Sequence, residues 1–87
     1  MMEITSIPRL AAGCRLHPTE DVVLVPEGTM NLSGPARQIL NRVDGTRTIA
    51  AIVDDLLTQF DGASADEVGH DVLEMLNKMQ QRGVVRV

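Results

Sequence analysis

Ile49, Ile52, Val53, Leu56, Leu57 and Phe60 recur at i, i+3, i+4, i+7, i+8 and i+11. That spacing follows one face of an amphipathic helix at every step. Such a helix cannot stand alone in water and must bury its stripe against other elements. The rest of an 87-residue chain has to supply the cover. A chain of this length fits one domain, burying roughly 60 to 70% of the surface its unfolded form exposes. Hydrophobic residues make up 44% of it, which excludes a disordered tail. Phe60 is the only aromatic, so the core must be aliphatic, and five Met residues add soft, adaptable volume.

The flanking segments supply two more helices. Ser33 is placed to cap the first, with Gly34 and Pro35 in its opening turn and Ala36, Ile39, Leu40 and Val43 on one face. Asp44-Gly45 ends it, Thr48 caps the central helix, and Asp61-Gly62 closes that one. Ser64-Ala65-Asp66-Glu67 has the form of a capping box. The third helix then carries Val68, Val72, Met75, Leu76 and Met79 to about Arg82, where Gly83 stops it. Upstream, Arg15–His17, Val22–Val25 and Thr29–Leu32 read as three short strands separated by the turns Pro18–Asp21 and Pro26–Gly28. Val84–Val87 is a candidate final strand. Residues 1–14 carry no clear period and are expected to form an arm that packs on the domain of residues 15–87, or on a second copy of it. Strands segregated from helices imply an α+β fold. Two helices joined by the short link Asp44–Arg47, beside a small sheet, imply a winged helix-turn-helix.

Catalytic chemistry is sparse. His17 and His70 lie far apart, and neither has a Cys or second His at metal-ligand spacing. Cys14 has no lysine near it in sequence to depress its pKa. Asp54-Asp55 and Asp61 read as a solvated helix face and a helix end rather than a working carboxylate pair. No glycine spacing cradles a phosphate. Neither Ser33 nor Ser64 sits in the Asp-Ser-Leu context of an acyl carrier. We therefore expect no enzyme, no cofactor and no metal.

The net charge of −4 weighs against nucleic acid, and the six Arg and Lys residues from Arg37 to Arg86 form no basic stripe. A winged-helix DNA-binding regulator is the alternative reading. It is disfavoured by Asp66-Glu67 at the start of the would-be recognition helix. No signal peptide or membrane-length apolar run is present, and one unpaired cysteine fits a reducing, cytoplasmic setting. What remains is binding of a partner. Thr29, Met30, Asn31 and Leu32 form a candidate edge strand, able to accept an added peptide strand. On the third helix, Gly69, Leu73, Asn77 and Gln80 share a flank free of charge, and are the candidate pocket residues. Leu73 equally suits a widened core stripe. The opposite flank, Asp71, Met75, Lys78 and Arg82, reads as solvated. An open edge strand and a loose arm leave a monomer or a strand- or arm-exchanged homodimer open.

These stretches also carry a resemblance. Leu24-Val25-Pro26-Glu27-Gly28, Met30-Asn31-Leu32, Ala36 with Ile39-Leu40, Asp44-Gly45 with Thr48-Ile49 and Ile52, Asp71-Val72, Leu76 and Gly83-Val84 occur in the order and spacing of the PqqD family. Pro8, Gly13 and Arg15 fit the same pattern. Val25 stands where that family often has Tyr, and Met75 where an aromatic is common. The resemblance implies a winged helix-turn-helix that recognises a precursor peptide by strand addition to the third strand, packed against the third helix. It implies the peptide PqqA as partner. It also implies docking to the radical S-adenosylmethionine enzyme PqqE, which cross-links a Glu and a Tyr of that peptide in pyrroloquinoline quinone biosynthesis.

Overall fold

The computed structural model describes every residue except Phe60 and Asp61. The end of the central apolar stripe and the Asp61 helix stop therefore lie outside the described residues. The elements run β1 (Arg9–Leu10), β2 (Arg15–Leu16), β3 (Val22–Val25), β4 (Gly28–Asn31), α1 (Ala36–Leu40), α2 (Ile49–Leu57), α3 (Ala65–Gln81) and β5 (Val85–Arg86). β2, β3 and β4 form an antiparallel sheet in that order, the wing, and β1 pairs with β5 in a second, two-stranded sheet. This is the expected α+β winged helix-turn-helix. No helix among the described residues is long and apolar enough to cross a membrane.

The core lies where periodicity puts it. Ile49, Ile52 and Leu56 of α2 meet Val72, Leu76 and Met79 of α3, with Ile39 and Leu40 of α1 and Val23 of β3 closing the cluster. Thr48 caps α2 as expected: its extended backbone lets Oγ1 accept from the Ala51 N–H at 3.1 Å. The two preceding free donors of that helix are satisfied by the arm, Ile49 N–H on the Ser6 carbonyl and Ala50 N–H on that of Ile4, both at 2.9 Å. Gly83, at φ +77°, ends α3. Its N–H donates to the Gln80 carbonyl and that of Val84 to Met79, each at 3.0 Å, which is a Schellman stop.

Three local expectations differ. α1 starts from Pro35 with no side-chain cap, so Ser33 does not serve it. It stops at Leu40, because Arg42 and Val43 donate to Ile39 and Leu40, three residues back, and the chain tightens. Val43 is buried from that turn rather than from the helix. Ser64 precedes α3 in an extended conformation, but its side chain makes no cap bond, and Asp66 and Glu67 support the helix start by charge alone.

The first fourteen residues fold over α2 and α3. Met2 is buried and its N–H donates to Asn77 Oδ1 at 2.8 Å. Pro8 is buried, and β1 enters the terminal sheet. Two residues of strand give no readable period, and their partner, β5, lies at the far end of the chain.

Candidate functional site

β4 pairs with β3 alone, through Val22↔Asn31, Val23↔Met30, Leu24↔Thr29 and Val25↔Gly28. Leu32 N–H donates to the Asp21 carbonyl at 2.8 Å. Hydrogen-bonded and non-bonded pairs alternate in an antiparallel ladder. Met30 and Gly28 therefore spend their main-chain groups on β3. The N–H and C=O groups of Thr29 and Asn31 point away from the sheet, into the open edge. The bond from His17 N–H to the Val22 carbonyl (3.0 Å) fits the same alternation, directing Val22 and Leu24 to β2. Side chains divide along the strand: Thr29 and Asn31 are exposed, while Met30 and the following Leu32 pack on the core.

The helix that reaches this edge is α3, through the flank that carries Arg82. Arg82 Nη1 lies 3.5 Å from Met30 Sδ. A hollow of about 350 Å³ beside it is lined by Cys14, Val25, Pro26, Glu27, Met30 and Arg82 among others. A second hollow of about 260 Å³ runs from Ser33, Pro35 and Ile39 to Asp71, Met75 and Lys78. Met30 of the edge strand is thus brought to Arg82, while Met75 and Lys78 line the hollow at the start of α1. Leu73 stands about 160° round the helix from Met75 at 3.6 residues per turn. It packs half-buried on the core. Asn77 on that side receives the Met2 N–H, and Gln80 lines a separate hollow with Ala11, Ala12 and Val85. Gly69 is half-buried on the same flank, with open space at its Cβ position. The structure therefore brings Met30 to Arg82 on one flank of α3 and places Gly69, Leu73, Asn77 and Gln80 on the other. Periodicity separates those two flanks correctly, but carries no signal for which one the wing covers.

The charges of the cleft are unequal in freedom. Lys78 is held by Glu74 at 3.2 Å, and His70 shares the same carboxylate at 3.3 Å. Arg82 has no carboxylate within ion-pair distance among the described residues. It offers an unspent guanidinium at the rim, beside an apolar floor of Met30 and Val25. Residues weighed above as catalytic have structural work. His17 Nδ1 accepts the N–H groups of Thr19 (3.1 Å) and Glu20 (3.0 Å), closing the β2–β3 turn. Arg37 of α1 clamps that turn through the carbonyls of Pro18 and Glu20. Asp55 pairs with the buried Arg42 and with Arg47. No group of three or more His, Cys, Asp or Glu side chains among the described residues is placed to hold a metal.

An open strand edge facing a helix flank across a partly apolar cleft is a platform for an extended peptide. Comparison with known proteins bears on the same region. The family model of coenzyme PQQ synthesis protein D (PqqD) matches residues 20–85, which include β3, β4 and all three helices. The chain belongs to the PqqD family. A PqqA binding protein of Xanthomonas oryzae pv. oryzae is 38% identical over 86 residues, covering 94% of this chain and 92% of its own. The PqqA binding protein of Azotobacter vinelandii is 38% identical over 88 residues, covering 97% and 94%. Among solved structures, the PqqD truncation of Methylobacterium extorquens PqqCD superposes with a TM-score of 0.85 at 31% identity, covering 100% of this chain and 96% of its own. That protein is described as a functional, stand-alone recognition element for ribosomally synthesized and post-translationally modified peptides. The PqqD fold here therefore includes the arm and the terminal sheet as well as the winged helix.

Proposed function

We propose that this chain is a non-catalytic peptide carrier of the cytoplasm that binds the precursor peptide PqqA and presents it to the radical S-adenosylmethionine enzyme PqqE. The observation that carries the reading is the open edge of β4 beside the hollow that Met30 and Arg82 line. The peptide adds as a strand. Its main chain pairs with the outward groups of Thr29 and Asn31, and its inward side chains rest on Met30, Leu32 and Met75. Arg82 stands at the rim, where it can meet an acidic side chain. PqqA-binding relatives that match across nearly the whole chain support the choice of peptide. Holding the peptide on a protein that also docks the enzyme raises the substrate's effective concentration, which is the physical use of a carrier.

Calorimetric titration with PqqA tests the assignment of the flank. Met75→Asp places a charge on the cleft floor and should weaken PqqA binding by about tenfold or more, as expected for an unpaired charge buried at an interface. Leu73→Gln, on the arm side, should bind within about twofold of the parent because it removes no cleft contact. The reverse ranking would move the peptide to the arm side of α3. An unchanged affinity in both variants would remove α3 from the site.

A further inference from the structure

We propose that the terminal sheet is a second docking surface, centred on Arg9 and Arg86, which takes a carboxylate-bearing face of the enzyme that acts on the bound peptide. The identity of that enzyme rests on the function proposed above; the surface itself rests on separate observations.

Arg9 and Arg86 are direct partners in the β1–β5 register, so both side chains leave the same face of the sheet. The alternate pair, Leu10 and Val85, turns inward, and Val85 is 1% exposed. Like charges directly opposite one another destabilise an antiparallel pair. A chain of net charge −4 has acids enough to avoid this. Yet neither arginine has a carboxylate within ion-pair distance among the described residues. The acid in register on the other side of β1 is Asp44. Its carboxylate is committed to its own loop, accepting from Thr46 N–H (2.9 Å), Thr46 Oγ1 (2.8 Å) and Arg47 N–H (3.2 Å). Both arginines are thus left without an acidic partner on one face of the sheet among the described residues.

Apolar surface lies on the segments that flank these strands. Ile4, Ile7 and Val87 are among the large hydrophobics that stay exposed, and all lie on the arm or next to β5. Apolar side chains with arginine are what protein interfaces concentrate, and lysine is depleted there. Two guanidiniums in a fork match one or two carboxylates bidentately. They are too few for the multiple phosphate contacts on which nucleic-acid affinity rests. The arm meets α3 through Asn77, on the flank opposite the β4 cleft. A presenter requires peptide and enzyme to occupy the molecule together, so PqqA affinity must survive changes at Arg9 and Arg86.

The test uses the whole chain, PqqA, and purified PqqE as the acidic probe. The double variant Arg9→Glu/Arg86→Glu keeps a like-charge pair across the strands but reverses its sign. It should weaken PqqE association by about tenfold or more while leaving PqqA affinity within about twofold. Arg86→Gln removes the repulsion, so it should raise the melting temperature and still weaken PqqE association. Undiminished PqqE association in the double variant overturns the proposal. So does an Arg86→Gln variant that loses stability, since that marks a structural role. A parent chain that binds PqqA but not PqqE overturns the docking surface and leaves peptide binding standing. A parent chain that binds neither sinks the function beneath it as well. Duplex binding or self-association abolished by the charge reversal would assign the surface to a different occupant and overturn the proposal.

Discussion

Asn31→Pro separates strand addition from mere proximity to the wing. In the β3–β4 register, Asn31 lies opposite Val22. The neighbouring bond from Leu32 N–H to the Asp21 carbonyl makes the Asn31 pair a non-hydrogen-bonded one. The Asn31 N–H is thus spent on nothing within the wing. Proline is tolerated on an edge strand where the lost donor faces outward, and Met30 before it is already extended, as a residue preceding proline prefers to be. The fold should therefore survive, with a melting temperature close to the parent's. A peptide strand added to β4 would lose one ladder donor and be left with a desolvated carbonyl, at a cost of about 1–3 kcal/mol. That corresponds to a Kd weaker by roughly 5-fold to 150-fold. Isothermal calorimetry with PqqA reads the Kd, and a thermal melt by circular dichroism reads the fold. Met30→Pro is the contrast: the Met30 donor serves β3, so that variant should lose stability and binding together. An Asn31→Pro protein that folds normally and binds PqqA with parental affinity would refute pairing along β4, whatever else the cleft does.

Other consequences are tied to single groups. Arg42→Ala removes a guanidinium that is only 9% exposed and that joins α1 to α2 through the Gln38 carbonyl (2.7 Å) and Asp55. Asp55 is half in solvent, so the loss should be about 1–3 kcal/mol rather than the full cost of a broken buried pair. Urea unfolding measures it. Leu76→Ala, at a fully buried position, should cost about 2–5 kcal/mol by the same assay. Asp44 is held below its usual value of 3.8, first by the backbone bond from Thr46 and then by that residue's hydroxyl, with Arg47 adding a favourable charge. Its contribution to stability is therefore present above about 3.8, the unfolded-state value, and is lost as pH falls through the lowered folded one. The stability gap between the parent and Asp44→Asn should narrow as urea titrations move from pH 6 to below pH 3, and a constant gap would count against the loop geometry. Asn77→Ala should leave the Met2 amide unprotected in hydrogen exchange at a cost of about 1 kcal/mol.

Elements that carry their own signal were legible in the sequence. The α2 stripe needed only its period, and Thr48 and Gly83 needed only their local backbone. The β3–β4 hairpin showed in its apolar run and its Pro-Glu-Gly turn. Ser64 fits the capping pattern as well as Thr48 does, yet only Thr48 makes the bond. The difference lies in how the chain enters each helix: the arm carbonyls of Ile4 and Ser6 hold the entry to α2. β1 was illegible because two residues have no period, and its partner is fixed only by the closure of the whole domain.

The two flanks of α3 differ in what covers them, for a reason that generalises. Gly69, Leu73, Asn77 and Gln80 share a flank without charge, and the chain's own arm and core lie against part of that face. A permanent cover selects against charge, since a buried ion needs a partner for as long as the fold lasts. A transient partner imposes the opposite condition, because the same surface must stay wet and soluble while the partner is away. The Asp71, Met75, Lys78 and Arg82 flank meets it, with one half-buried soft side chain set among exposed charges. Charge at the rim also speeds encounter, more than it adds affinity. If Arg82 steers an acidic segment of PqqA, Arg82→Gln should lower the association rate and flatten its dependence on salt, with the dissociation rate little changed. Stopped-flow measurement at two ionic strengths decides it: a loss confined to the dissociation rate would place Arg82 within the buried contact rather than at its rim.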